Sequence, residues 1–483
     1  MVRDLSVLFT ASEADPFAKV GGLGDVAGSL PGAILSLNSE DSANSSIDIR
    51  LVIPYHSMTN ISDSELQHIC QFPVKYQEID LPVDVFLTKL NDLSVYLLSS
   101  EWIHTSERVY DQDVNRAAKK YILFSKAVAM LPDVLGWQID ILHANDWHTA
   151  LAIPETFALG KKNVRTVLTI HNLPFMGSET RGMLADFRIT PSTHPELPEW
   201  ARELPLPMAS AVADKVVAVS PSYAREIMTP EFGCDLDHFF NSIQDKVTGI
   251  LNGINNTIWN PATDKSIQQN FDSDQIEKRI LNKRYLQDKF DLPRKDDAAL
   301  IVVISRFDKQ KGIDLIIQSL KQLEGGSWQA ILLGSGDSTL ERMSQELAMT
   351  LFDQVRSENC YNACLSHQLY AGGDIILMPS RYEPCGLAHM IAMRYGCIPV
   401  ARATGGLKDT IISYDQDIEH ATGFLFDQAS SEALTSSIQQ AINIYAQKTK
   451  WKNIQKNAMK SDFSWDNSAR KYIQLYRNLE KNK

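Results

Sequence analysis

Lys19-Val-Gly-Gly-Leu-Gly-Asp25 follows closely on a short apolar run, Leu5-Ser-Val-Leu-Phe-Thr10, and a second glycine-bearing turn, Glu383-Pro-Cys-Gly-Leu387, follows Asp374-Ile-Ile-Leu-Met378. Glycines placed where a strand hands over to a helix let the backbone approach a ligand, and they aim the N–H groups of the first helical turn at it. One such turn is a generic signal. Two of them, each with its own strand and helix pattern, predict two nucleotide-fold halves serving one site.

Outward from the first turn, β-branched runs recur between helix-length segments: Ile49-Arg-Leu-Val-Ile53, Val95-Tyr-Leu-Leu98, Ile139-Asp-Ile-Leu142, Val164 to Ile170 and Lys215 to Val219. That alternation predicts an α/β fold with a parallel, doubly wound sheet. The pattern restarts after Leu292-Pro-Arg-Lys-Asp-Asp297, with strands expected at Ala299–Ile304, Gln329–Leu333, Asp374–Met378 and Ile398–Ala401. Between the halves, Gly249 to Pro261 is rich in turn formers and carries one aromatic anchor, Trp259. The expected organisation is a first domain over residues 1–252, a hinge at 253–262, a second domain over 263–460, and a terminal helix within 461–483 packing back on the first domain.

A chain of 483 residues suits two such domains. Its net charge of -12, from 47 basic and 59 acidic residues, argues against a general nucleic-acid binder, which needs a basic stripe. No apolar run approaches the roughly 20 residues of a membrane span. The six cysteines show no paired metal spacing, and the buried-strand pattern begins by Leu5, so a cytoplasmic protein without a leader is expected.

The order Gly22-Leu-Gly24-Asp-Val-Ala-Gly28 is close to a dinucleotide fingerprint, but the second strand ends Ile53-Pro-Tyr-His56 with no acid for a ribose. No Gly-Lys-Ser/Thr follows the glycines, so a Walker loop fails as well. A tight turn with Lys19 merely solvated is the alternative for this loop taken alone. His143-Ala-Asn-Asp-Trp-His148 ends one strand and His171-Asn172 the next, so Asp146, His148 and His171 are expected to converge at the carboxyl edge of the sheet. There a hydrogen-bonding role outranks zinc ligation.

In the second half, Ser305-Arg-Phe-Asp-Lys-Gln-Lys-Gly312 places Arg306 and Lys311 at a strand end, where two cations suit a diphosphate whose charge grows as it leaves. A solvated charged loop is the plain alternative. Pro384 and Gly386 are expected to fix a helix start able to hold phosphate, with Glu383 at its mouth to accept hydrogen bonds from hydroxyls. Ala403-Thr-Gly-Gly-Leu407 adds a third glycine-rich strand end. Asp111-Gln-Asp113 has the form of a metal-binding DxD but stands in a polar stretch without partners, and a structural role is favoured there.

Lys-x-Gly-Gly-Leu-Gly-Asp-Val, Asp-Trp-His, His-Asn, Val219-Ser-Pro-Ser-Tyr-Ala-Arg-Glu-Ile227, Asn-Gly-Ile, Ser-Arg-x-x-x-Gln-Lys-Gly, Pro-Ser-Arg-Tyr-Glu-Pro-Cys-Gly-Leu and Thr-Gly-Gly-Leu appear in an order that resembles bacterial glycogen synthases and plant starch synthases, from residue 5 to about 475. The resemblance implies a GT-B fold, two Rossmann-like domains closing on an interdomain cleft, the first on the acceptor side and the second holding the nucleotide sugar. It implies retaining transfer of glucose from ADP-glucose to the non-reducing end of an α-1,4-glucan or maltooligosaccharide, without metal or cofactor. Carried over by position, Lys19 and the adjoining Gly22 would sit by the phosphates and sugar, Asp146 and His171 would hold glucose hydroxyls, and Asn252 would approach the sugar. Arg306 and Lys311 would grip the diphosphate, Glu383 and Cys385, with Gly386 and Leu387, would contact the glucose end, and Tyr361 would stack on adenine.

The sequence departs from that family at Ala388-His389, where Thr-Gln is usual, at Leu173-Pro-Phe-Met-Gly177, at Met208 to Val212, and at Cys360 before Tyr361. Met390 to Gly396 is more similar to the plant starch synthase III/IV branch. Two other readings follow from the departures: a GT-B transferase using UDP-glucose or another acceptor, and a glucan-binding or priming partner with weakened catalysis. Retention of Lys19, His171, Arg306, Lys311 and Glu383 favours an active synthase.

Overall fold

The computed structural model describes residues 5–40, 46–104, 108–325 and 327–481; Met1 to Asp4, which bear on the expected absence of a leader, lie outside them. The chain divides into two compact units, one running up to Gly253 and including the terminal segment from Trp465, the other running from Ile254 to Ser464.

Among the described residues, the first unit holds nine strands: β1 (Leu5–Thr10), β2 (Ile47–Pro54), β3 (Gln67–Tyr76), β4 (Ile79–Leu90), β5 (Leu93–Ser99), β6 (Ile141–Asn145), β7 (Arg165–Ile170), β8 (Lys215–Ala218) and β9 (Val247–Gly249). Their order is β3-β4-β5-β2-β1-β6-β7-β8-β9. From β5 to β9 every pairing is parallel, whereas β3, β4 and β5 pair antiparallel. The hairpin of β3 and β4 fills an interval where the alternation of strand and helix predicts a helix. Its signal is the period of two in His68, Cys70, Phe72, Val74 and Tyr76, closed by a tight turn with Gln77 at φ 49°.

The second unit holds β10 (Ala299–Ile304), β11 (Trp328–Leu333), β12 (Val355–Glu358), β13 (Ile375–Met378), β14 (Ile398–Arg402) and β15 (Phe424–Phe426), in the order β12-β11-β10-β13-β14-β15 and wholly parallel. The residues of β11 and β13 are buried throughout, as a sheet covered on both faces requires. In each sheet the chain winds outward, returns to the centre and winds the other way. The reversals fall between β1 and β6 and between β10 and β13. Outside the carboxyl ends of such a central pair the crossover loops part and leave a crevice.

Residues 254–262, expected as a hinge, belong to the second unit. Trp259 stacks on His367 with ring centres 4.1 Å apart, and His367 Nδ1 and the Tyr395 hydroxyl meet Asp264 Oδ2 at 2.7 and 2.6 Å. The DxD stretch is local scaffolding. Asp113 caps the helix Val114–Val134 by accepting from the N–H groups of Asn115 and Arg116, and Asp111 pairs with Arg116 at 2.7 Å. Among the described residues, no helix is long and apolar enough to cross a membrane.

The terminal helix Trp465–Lys481 buries Trp465, Tyr472 and Tyr476 in the core of the first unit. One polar tie is the Tyr476 hydroxyl, 2.6 Å from Nδ1 of the buried His143 on β6, whose Nε2 lies 2.7 Å from Thr169 Oγ1. Burial pushes the His143 imidazole down to about 3, so both ring nitrogens of a neutral ring are satisfied. Tyr476→Phe leaves one of them bare. It is expected to cost about 1–3 kcal/mol, read as a lower midpoint in urea unfolding, with little change in the helix content of the native protein.

Candidate functional site

Both groups of candidate residues stand at the strand-order reversals, one in each unit. In the first, Glu13 follows β1, Asp146 follows β6 and His171 follows β7. Asp146 takes φ 54° with ψ -179°, a positive-φ conformation rarely held by a non-glycine residue, which costs about 1–3 kcal/mol and marks a position fixed by its surroundings. Its Oδ1 accepts from the N–H of His171 at 2.7 Å, and its own N–H donates to Thr169 O at 2.9 Å. Burial pushes its carboxyl up to about 7, against the N–H groups of His171 and Asn172 and with the charge of Glu13 adding to the rise.

The imidazole of His171 meets Asn145 Oδ1 at 3.0 Å, while Asn145 Nδ2 donates to Thr10 O at 3.0 Å. Because the amide nitrogen is already committed, His171 must donate from Nε2, and its Nδ1 is left as an acceptor. Burial holds this ring down to about 3, so it stays neutral. His148 does not join the group. Its ring lies 4.2, 4.5 and 4.9 Å from those of Trp147, Tyr121 and Tyr110, an aromatic packing that the Asp-Trp-His spacing does not reveal. Asn252 is only 7% exposed, and its Oδ1 is buried without a hydrogen-bond partner among the described residues.

The first glycine-rich loop is satisfied from within. Glu13 accepts from the N–H groups of Val20 and Gly21, just ahead of the helix, and from the Tyr110 hydroxyl at 2.8 Å, so these two N–H groups of the loop are already taken. Burial raises the Glu13 carboxyl, against these donors. Lys19 Nζ lies 2.6 Å from Asp25 and 3.3 Å from Asp15, and the helix starts at Gly22. A Cβ at Gly28 would come within 2.3 Å of Asp15 O, so that glycine serves close packing. Glu13 was the missed signal: an acid just past a strand end, ahead of a run of N–H groups.

In the second unit, Arg306 and Lys311 follow β10, and Glu383 follows β13. Lys311 Nζ donates to both Glu383 oxygens at 2.8 and 2.6 Å, and the Ser380 hydroxyl donates to Oε2 at 2.8 Å. Burial alone would raise the Glu383 carboxyl, but Lys311 and Ser380 outweigh it and hold it below the usual carboxylate range. Arg306 is 65% exposed in its side chain and reaches Asp308 at 3.3 Å and Gln310 at 3.2 Å. Tyr361, just after β12, is 86% exposed.

The turn Glu383–Leu387 differs from the expected helix start. The helix spans Ala388–Arg394, while Gly386 sits at φ 78° in the turn ahead of it. Cys385 is buried, and the third glycine-rich stretch explains why. Cβ atoms at Gly405 and Gly406 would fall 1.9 Å from Glu383 O and 2.1 Å from Cys385 O, so Thr404-Gly-Gly-Leu407 is pressed backbone to backbone against the turn and supports it.

Two doubly wound units, one with buried carboxylate, neutral imidazole and amide groups at its switch point and one with cations around a carboxylate, fit the class of glycosyltransferases with the GT-B fold. The comparisons agree along the whole chain. Residues 6–242 match the starch synthase catalytic domain family and residues 286–460 the glycosyl transferases group 1 family. A glycogen synthase of Streptococcus sanguinis is 36% identical over 98% of this chain and 100% of its own, and one of Bacillus cereus is 34% identical with the same coverage. The catalytic domain of starch synthase IV from Arabidopsis thaliana, solved bound to ADP and acarbose, superposes with a TM-score of 0.86 at 29% identity, covering 99% of this chain and 100% of that one. A sucrose-phosphate synthase of Thermosynechococcus elongatus shares the fold alone, with a TM-score of 0.62 at 18% identity. The chain belongs to the glycogen and starch synthase family.

The raised Asp146 carboxyl has a measurable consequence. Its native form is neutral up to about pH 7, whereas in the unfolded chain it ionises near 3.9, so its contribution to stability falls as pH rises between those values. Asp146→Asn keeps the neutral acceptor. The variant is expected to match wild type at low pH and to exceed it in stability at pH 8 by about 4 kcal/mol, from roughly 1.4 kcal/mol per unit of displacement, in parallel urea titrations.

Proposed function

We propose that the protein extends α-1,4-glucan chains, transferring glucose from ADP-glucose to the non-reducing end with retention of configuration and without a metal ion. The observation that carries the reading is the Lys311 and Glu383 pair beside Arg306 at the reversal of the second sheet. Two of the three N–H bonds of Lys311 go to Glu383, which leaves the third for an oxygen of the leaving diphosphate. Arg306, with its guanidinium in solvent, adds a second charge. Tyr361 offers an aromatic face for the base, and ADP as the nucleotide half is favoured by the ADP bound in the Arabidopsis starch synthase IV structure.

In the reaction the acceptor hydroxyl oxygen bonds to the anomeric carbon as the bond from that carbon to the diphosphate oxygen breaks. The electron pair leaves with ADP, and the hydroxyl proton passes to a diphosphate oxygen on the same face. Negative charge therefore grows on the diphosphate, where Arg306 and Lys311 act. His171 Nδ1 serves as an acceptor for a glucose hydroxyl, and the unpartnered Asn252 Oδ1 for another. Asp146 becomes a stronger acceptor as it ionises near pH 7.

Released nucleotide and chain growth, measured with ADP-glucose or UDP-glucose and with or without glycogen, test the reading. Growth with ADP-glucose, undiminished by EDTA, is expected; growth with UDP-glucose alone, or glucan binding without turnover, would sink it. The two cations should separate. Arg306→Ala is expected to lower kcat by about 100-fold or more while changing stability by less than about 1 kcal/mol. Lys311→Ala leaves a buried carboxylate unpaired, and should lose a similar factor in kcat together with about 3–5 kcal/mol of stability.

A further inference from the structure

We propose that His389 is a positioning residue for the Lys311 and Glu383 pair, acting through Thr410 and Gly406; the proposal rests on the functional reading above. His389 stands at a position where the family resemblance leads one to expect glutamine, and it has no part in the transfer chemistry. Its ring is fully buried, with Nε2 2.5 Å from Thr410 Oγ1. That hydroxyl donates its single proton to Gly406 O at 2.6 Å, so it accepts from His389, and Nε2 carries the ring's hydrogen. Gly406 N–H in turn donates to Glu383 O at 3.1 Å.

The other edge of the ring closes the circuit. Nδ1 is buried without a hydrogen-bond partner among the described residues and lies against Gly386: a Cβ there would be 3.1 Å from Nδ1 and 3.0 Å from Glu383 Cγ. Ring and carboxylate stem thus lean on one glycine, while the Thr410 and Gly406 relay holds the Glu383 carbonyl. Gly386, at φ 78°, has no side chain to hold that point of the turn, so packing from neighbours such as the His389 ring does it. Burial keeps the ring neutral, down to about 4 even with Glu383 nearby, and so in one tautomer at neutral pH. A rigid ring with a donor on one side and bulk on the other therefore sets where Glu383, and with it Lys311, can stand.

The test compares wild type with His389→Ala, His389→Gln, Thr410→Val and the Ala/Val double variant, reading kcat, glucan KM and ADP affinity by calorimetry. His389→Ala and Thr410→Val should each lower kcat by about 10- to 100-fold, the scale of an ångström of misplacement, and weaken ADP binding, with glucan KM within about twofold. His389→Gln, which can donate to Thr410 and fill the ring's place, should keep about a third of kcat or more, and the double variant should fall no further than the worse single one. Should His389→Ala fail to fold, Thr410→Val, which conserves volume, carries the same expectation. Wild-type kcat in His389→Ala or Thr410→Val, or losses that multiply in the double variant, overturns the positioning role alone. A wild-type protein that neither binds ADP nor elongates glucan overturns the functional reading, and the positioning role with it.

Discussion

Reversal of strand order at the centre of each sheet is the constraint on which the candidate sites depend. A parallel strand must be reached by a crossover, and crossovers of one hand put successive helices on the same face until the winding turns back. Between β1 and β6, and between β10 and β13, the loops leaving neighbouring strands run apart. Asp146 and His171 in one unit and Arg306, Lys311 and Glu383 in the other each follow one of these central strands or its neighbour, while Asn252 and Tyr361 follow the edge strands β9 and β12. The remaining architecture, including the antiparallel extension of β3 and β4, adds to the sheets without moving those positions.

Glycine and charge divide the work at both sites in a common way. Gly28, Gly405 and Gly406 are needed because another backbone carbonyl occupies the place a Cβ would take. They bring polypeptide against polypeptide, and the rigid turns so formed carry the charged residues. Glu13 completes the first loop by capping its N–H groups, and Ser380 and Lys311 complete the second by satisfying Glu383. A buried ion pair is a weak source of net stability, because desolvation of both groups offsets their attraction. Its value here lies in holding a carboxylate charged and in one orientation.

Much of this was legible from residue order. Strand-to-helix alternation marks both doubly wound sheets, and the motif series from Lys19 to Thr404 marks the family. The hairpin of β3 and β4 was hidden because the parallel pattern on either side suggests a helix, although its period of two was there to be counted. His148 was misplaced because a histidine at a strand end looks the same in sequence whether its ring meets a ligand or three aromatic neighbours. Trp259 reads as a hinge anchor, yet its stack on His367 binds residues 254–262 into the second unit.

By itself the sequence determined the class of fold, the family and the identity of the chemical groups, since these are carried by local periodicity and by residue types in a set order. Tertiary structure alone decided which N–H groups are free, which nitrogen of His171 carries the hydrogen, and that Lys311 answers Glu383. The physical reason is that hydrogen bonds and ion pairs act over about 3 Å, between residues that the chain separates widely and only packing brings together.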